Sequence, residues 1–159
     1  MKIVVDSREQ RPFTFAHERY GDVEVAPGTL QTGDYSLVGL ADKISVERKG
    51  LDDLVGCLCK ERERFEKELQ RAVGLDAFCV VIEASWGELA SGRFKSKMNA
   101  HSACQSVTSF MVRYKIPFVF AGSRQGAEYI TWSILHQYLE GTTKRLKSII
   151  KAHGVDDAA

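Results

Sequence analysis

The sequence predicts an α/β protein built on a mixed sheet flanked by helices. Two observations carry that expectation. Short apolar runs with strand character alternate with longer stripes of helical period, and no repeat or linker divides the 159 residues. A chain of this length suits one domain with a proper core.

The elements follow in order. "KIVVD" (2–6) is an apolar run closed by a charge, the pattern of a buried strand. "SREQRPF" after it is irregular, and Pro12 opposes a helix there. "DVEVA" (22–26) alternates polar and apolar residues, with a turn expected at Pro27-Gly28. Residues 33–49, "GDYSLVGLADKISVERK", read as a β-hairpin turning at "GLAD". From Leu51 to Val73 the apolar residues Leu51, Leu54, Val55, Leu58, Phe65, Leu69 and Ala72 form one helical stripe, and Gly74 ends it. "AFCVVIEA" (77–84) is a buried strand, 99–115 a helix and "IPFVF" (116–120) a short strand. Helices over about 125–140 and 143–151, parted by Gly141, complete the chain.

Bulk properties exclude several classes. No apolar stretch approaches the roughly 18–20 residues of a membrane span, and the N-terminus lacks the pattern of a secretory signal. A soluble intracellular protein is expected, cytoplasmic or nuclear. Cys57, Cys59, Cys79 and Cys104 have no zinc-type spacing and read as reduced, mostly buried thiols. The net charge of +1 says little about partners, but its distribution says more. Leu89 to Ala127 contains no Asp or Glu, while Arg93, Lys95, Lys97, Arg113, Lys115 and Arg124 fall there, a segment able to attract phosphates. A solvated basic face is the plainer alternative.

The hairpin holds the chemistry. A four-residue turn at 39–42 pairs Val38 with Lys43 and sets Asp34 opposite Glu47. One face then carries Tyr35, Leu37, Ile44 and Val46; the other carries Asp34, Ser36, Lys43, Ser45, Glu47 and Lys49. Like charges directly opposite destabilise a hairpin, and a divalent cation between them would convert repulsion into ligation. Hard carboxylate oxygens suit Mg²⁺ or Mn²⁺. Lys49 shares the face of Glu47, Asp6 closes the first strand, and Asp53 stands on the first helical turn, where the dipole favours an anion. An ordinary wet hairpin face would also carry such residues, so spacing alone leaves the reaction open.

At these residues the sequence resembles the XPF-type nuclease family, whose signature is G-D-x(n)-E-R-K-x-x-x-D. It stands here as Gly33-Asp34, Glu47-Arg48-Lys49 and Asp53, and "VVDSRE" resembles the family's D-x-R-E element as Asp6, Arg8 and Glu9. The likeness covers about residues 2–122 of an expected single nuclease domain, 1–159. It implies a restriction-endonuclease-like fold and Mg²⁺- or Mn²⁺-dependent hydrolysis of DNA phosphodiesters, often at branched or junction DNA in repair or recombination. Asp34 and Glu47 would ligate the metal and Lys49 would assist the attacking water. Arg48 and Asp53 would complete the motif, with Asp6 and Arg8 in support. Arg48 is expected on the face opposite Lys49. Larger family members also carry a tandem helix-hairpin-helix module, whereas "HQYLEGTTKRLKSIIK" lacks its glycine pattern. Duplex grip would then come from the domain itself, a homodimer or a partner protein.

Candidate DNA contacts are Arg62 and Arg64 after the motif, and Arg93, Lys95 and Lys97 in the basic loop. Helical pairing with Glu66 and Glu68 is the alternative for the first two. The expected function is a metal-dependent DNA endonuclease. A non-catalytic module binding branched or single-stranded DNA is the alternative.

Overall fold

Each apolar run becomes a strand of one six-stranded sheet in the computed structural model, which describes residues 1–154. The strands are β1 (Lys2–Asp6), β2 (Glu24–Gly28), β3 (Tyr35–Leu37), β4 (Ile44–Lys49), β5 (Ala77–Ile82) and β6 (Phe118–Phe120). The helices are α1 (Leu51–Leu58), α2 (Arg62–Ala72), α3 (Trp86–Ala90), α4 (Ala100–Tyr114) and α5 (Arg124–His153). Spatial order is β2-β1-β3-β4-β5-β6. β1 runs parallel to β2 and antiparallel to β3, β3 and β4 form the hairpin, and β4, β5 and β6 run parallel. The mixed sheet with flanking helices is the expected one. The last five residues of the 1–159 span lie outside the described residues.

Period-two alternation gives the sheet two apolar faces. Phe78, Val80 and Ile82 of β5 pack with Leu54, Phe65, Leu69, Val107 and Phe110 from α1, α2 and α4. Cys79 and Val81 join Ile3, Tyr35, Ile44, Val46, Phe13 and Leu135 on the other side, beneath α5. Truncating a fully buried ring such as Phe65 or Phe110 to alanine would cost about 3–5 kcal/mol. The hairpin register is the expected one, with Tyr35 opposite Val46. On its second face Lys43 is exposed, whereas the 32–33 segment lies against Ser45. Ser36 and Ser45 are fully buried and donate to backbone carbonyls of Ile44, Thr32 and Tyr35.

Several expectations are corrected. The strand at 22–26 runs instead from Glu24 through Pro27-Gly28, which β2 tolerates as an edge strand. The stripe from Leu51 to Val73 is two helices, broken at Cys59–Glu61. A continuous helix would turn Glu61 and Arg62 toward the core between Leu58 and Phe65, and the break lifts them out. The two C-terminal helices are one, because Gly141 alone costs about 1 kcal/mol and no proline accompanies it. Cys59 is exposed. α3 is an unexpected helix, opened by a Ser85–Glu88 capping box. Among the described residues, no helix is long and apolar enough to cross a membrane.

Candidate active site

β4 projects Glu47 and Lys49 toward α1 and α2, and Arg48 to the opposite side, as alternation requires. Glu47 is 4% exposed and accepts a hydrogen bond from the Lys49 ammonium. That ammonium also lies 5.6 Å from the centre of the Phe65 ring. Asp34 precedes β3 and is fixed at three points. Its N–H donates to Val46 O (2.8 Å), its carbonyl accepts from Asp6 N (2.8 Å), and its Oδ2 accepts from Arg48 N (2.7 Å). Asp34, Glu47 and Lys49 therefore line one cleft, with Asp52, Asp53, Arg8 and Arg64 around its rim.

Gly33 explains the glycine before Asp34. Its φ is +80°, and a Cβ there would overlap Ser45 Oγ and stand 3.0 Å from Ser45 Cβ. Gly33→Ala should therefore destabilise the fold by roughly 2–4 kcal/mol, from left-handed strain and overpacking together. Urea unfolding measures this; a loss below about 1 kcal/mol would show that the 31–34 loop readily moves away from Ser45.

The electrostatics follow from burial. Desolvation raises the Asp34 carboxyl to about 6, against the opposing Arg48 N–H and Lys49 charge. Burial, then the neighbouring Asp34 charge, pushes Glu47 up to about 8 despite Lys49. The Lys49 ammonium is held above its ordinary value: burial opposes the charge, and Glu47 outweighs it. Lys49 is accordingly a cation at neutral pH. Burial likewise pushes the nearby Cys57 thiol up to about 11, so it stays protonated.

A raised carboxyl means that the folded state binds more protons than the unfolded state between about pH 4 and 6. Without divalent cation, wild-type stability should fall as pH rises through that window. Asp34→Asn keeps an acceptor for Arg48 N–H and should remove this part of the fall. It should therefore melt above wild type at pH 8, with the gap closing near pH 4. Parallel melting curves at every pH would exclude a desolvated Asp34 charge.

The remaining site residues are divided by the structure. Asp6, 2% exposed, accepts from Leu30 N (2.7 Å), Arg8 N (2.9 Å) and Arg8 Nε (2.7 Å). The Arg8 side-chain hydrogen bond holds its carboxyl at about 2. Asp6 thus ties the 28–34 loop to β1, while Arg8 faces the cleft. Arg64 lines the cleft, but Arg62 does not: it lies over the Phe110 ring and pairs with Glu66 and Ser106. Lys95 reaches the rim because its N–H donates to Asp52 Oδ1 at 2.8 Å. Arg93 and Lys97 are exposed on the same loop, outside the cleft lining.

The sequence reading missed an ion network behind Asp34. Arg48 pairs with Glu9 (2.6 Å) and stands 3.7 Å from Glu83, whose carboxylate also pairs with Arg124 at 2.7 Å. Arg124 continues to the carbonyls of Arg11 and Pro12. Glu9 stood in the D-x-R-E element and could have been found there; Arg124 carried no local signal. Glu68 was missed as well, and lines the cleft on the α2 side.

Among the described residues, no group of three or more His, Cys, Asp or Glu side chains forms a metal cage. Asp34 and Glu47 remain as a pair of hard oxygen donors, and Mg²⁺ commonly takes one or two carboxylates with waters and substrate phosphate. Two desolvated, mutually repelling carboxylates fit such an ion.

A family model described as the ERCC4 domain matches residues 5–131, most of the chain. The chain belongs to the ERCC4 domain family. Its fold is also that of solved structures. XPF from Aeropyrum pernix matches with a TM-score of 0.69 at 22% identity, over 87% of this chain and 61% of that one. XPF from Aeropyrum pernix in complex with DNA matches with a TM-score of 0.67 at 23% identity, over 88% of this chain and 66% of that one. This ERCC4-domain chain thus spans less than two thirds of either solved chain. No curated protein matches it.

Proposed function

We propose that this ERCC4-domain protein is a divalent-cation-dependent DNA endonuclease acting at branched or junction DNA. The observation that carries the proposal is the convergence of Asp34, Glu47 and Lys49 in one cleft of this family's fold. The solved complex of a similar fold with DNA supports DNA as the partner. Asp34 and Glu47 would hold Mg²⁺ or Mn²⁺. Such an ion supplies Lewis-acid polarisation of the phosphoryl oxygen and a water of lowered pKa.

The chain's own residues do the rest. Arg48 N–H aims the Asp34 carboxylate, and Lys49 aims Glu47. The Lys49 ammonium then offsets negative charge as it develops on the phosphoryl oxygens. Arg8 and Asp6 hold the 28–34 loop against β1, which keeps Asp34 at its distance from β4. Asp52 and Asp53, exposed at the start of α1, border the mouth of the cleft.

The deciding experiment incubates the chain with labelled 3′-flap, fork, duplex and single-stranded DNA in Mg²⁺, Mn²⁺ or EDTA. Metal-dependent cutting is expected, with preference for a branched substrate. Binding without cutting under both metals would overturn the endonuclease in favour of a non-catalytic DNA-binding module.

The basic loop supplies part of the grip. Arg113 and Arg124 are engaged internally by Glu66 and Glu83, whereas Arg93, Lys95 and Lys97 are exposed on the loop beside α1, with the Lys95 ammonium 3.7 Å from Asp52. Neutralising Lys95 and Lys97 to Gln should weaken binding across sequences and lower the salt slope by about 1–2. An unchanged slope would place the phosphates elsewhere.

A further inference from the structure

β5 and β6 bring a second surface to the same end and the same face of the sheet as the active site. Lys49 pairs with Ile82, and Ile82 with Phe120, and residues paired across a sheet point to one face. Phe120 therefore lies two strand spacings, about 10 Å, from Lys49. The Trp86 ring packs edge-on with Phe120, with centroids 5.1 Å apart and planes at 87°. Such a contact covers at most one face of the indole, and Trp86 is 42% exposed.

Trp86 is also held rigidly. It is the first residue of α3 and lies inside the capping box, in which Ser85 N donates to Glu88 Oε2 (2.8 Å) and Glu88 N to Ser85 Oγ (3.2 Å). Gly87 beside it is a poor helix former and presents no side chain, so bare backbone adjoins the ring. α3 leads into the basic loop, whose Arg93 N donates to Glu88 O at 3.0 Å. Phe94 and Met98 pack against the core, while Arg93, Lys95 and Lys97 are exposed. Lys95 N, on Asp52 Oδ1, joins this loop to the mouth of the active-site cleft. A surface of cations and one fixed, exposed indole thus runs from that mouth toward the edge strand β6.

We infer that this surface takes a single-stranded arm of the DNA substrate, with an unpaired base stacked on Trp86. This rests on the nuclease function proposed above and names the part of the substrate that the site selects. Every base offers a flat face to an aromatic ring while cations follow the phosphates, and the two together bind single strands with little regard to sequence. A duplex keeps its bases stacked on one another and offers the indole only its ends. The charge decides the occupant, because an apolar protein surface gains nothing from Arg93, Lys95 and Lys97. The carboxylates beside them are engaged, Glu88 by Ser85 and Asp52 by Lys95. The loop supplies an attraction that salt screens, and Trp86 supplies one that it does not.

The test uses the full chain in EDTA with a labelled 3′-flap DNA, its arm as a free single strand, and a long blunt duplex. Trp86→Ala should weaken binding of the flap and the single strand by about tenfold and leave the duplex within about twofold of wild type. The salt slope should not change, since a stacked ring releases no counterion. Trp86→Phe keeps a stacking ring and should recover most of the affinity. The single strand should quench indole fluorescence in wild type but not in Trp86→Phe, where Trp132 is the only indole left. Equal quenching in both overturns the stack, and this comparison stands even if Trp86→Ala fails to fold. A folded Trp86→Ala that binds all three DNAs like wild type also overturns it, and metal-dependent cutting by that variant leaves the nuclease function in place. Light scattering that finds a wild-type dimer and a Trp86→Ala monomer, with single-strand binding undiminished, would assign Trp86 to an interface between copies instead. If wild type binds no DNA at all, both the stack and the nuclease function fall.

Discussion

Asp34→Asn and Glu47→Gln should each reduce cleavage by about a thousandfold or more while binding to uncut DNA in EDTA stays within about twofold of wild type. The size follows from losing a charged ligand of an ion that stabilises the transition state by several kcal/mol, where each 1.36 kcal/mol is a factor of ten in rate. The specificity follows from geometry. Both substitutions conserve size, and the amide oxygen that replaces the Asp34 carboxylate can still accept from Arg48 N–H, so the hairpin keeps its register. The two variants differ in what they leave behind. Glu47→Gln replaces the carboxyl partner of the Lys49 ammonium by an amide oxygen, whereas Asp34→Asn leaves the Arg48 N–H its acceptor. Single-turnover cleavage and thermal melts, measured on the same preparations, separate the two effects. A Glu47→Gln enzyme that cuts at the wild-type rate would remove the proposed ligand pair. One that neither folds nor cuts would leave Asp34→Asn to decide.

Arg48→Leu should destabilise the protein by about 3–5 kcal/mol, the usual effect of removing one partner from a buried ion pair. Arg48 is 8% exposed, and its partners Glu9 and Glu83 are 5% and 10% exposed. Deleting the guanidinium leaves Glu9 buried with only the Arg11 N–H for a partner, while Glu83 retains Arg124. Neutralising the carboxylate with the arginine, as in Glu9→Gln with Arg48→Leu, should recover most of the loss, because a matched neutral pair avoids the desolvation penalty. Urea unfolding of wild type, both single variants and the double variant closes the cycle. A loss below about 1 kcal/mol for Arg48→Leu would mean that water reaches Glu9 once the guanidinium is gone. The motif arginine thus differs from its neighbours in the signature. Its main-chain N–H serves the site, and its side chain serves the packing behind it.

The hairpin shows why part of the site is legible in the sequence. With Tyr35, Leu37, Ile44 and Val46 required on one face, a one-residue slip would bury charge, so the register and the opposition of Asp34 to Glu47 follow from alternation alone. Strand positions were equally legible because six short apolar runs leave few other roles. The break between α1 and α2 and the continuity of α5 were less so. A hydrophobic stripe reports which face of a helix is buried, and says nothing about where tertiary packing lets its axis bend. The burial of Ser36 and Ser45 was illegible for a related reason. Ser36 and Ser45 look like surface residues by type, yet both are fully buried, Ser45 beneath the 32–33 segment.

By itself, then, the sequence determined the α/β class, the hairpin register and the grouping of Asp34, Glu47 and Lys49, since each depends on interactions between residues close along the chain. Only the tertiary structure decided that Arg62 belongs to packing and Arg64 to the cleft, and that Arg48 is braced by Glu9, Glu83 and, across β5, by Arg124. Partners separated by tens of residues are chosen by how layers pack, and that choice has no local period for a sequence to display.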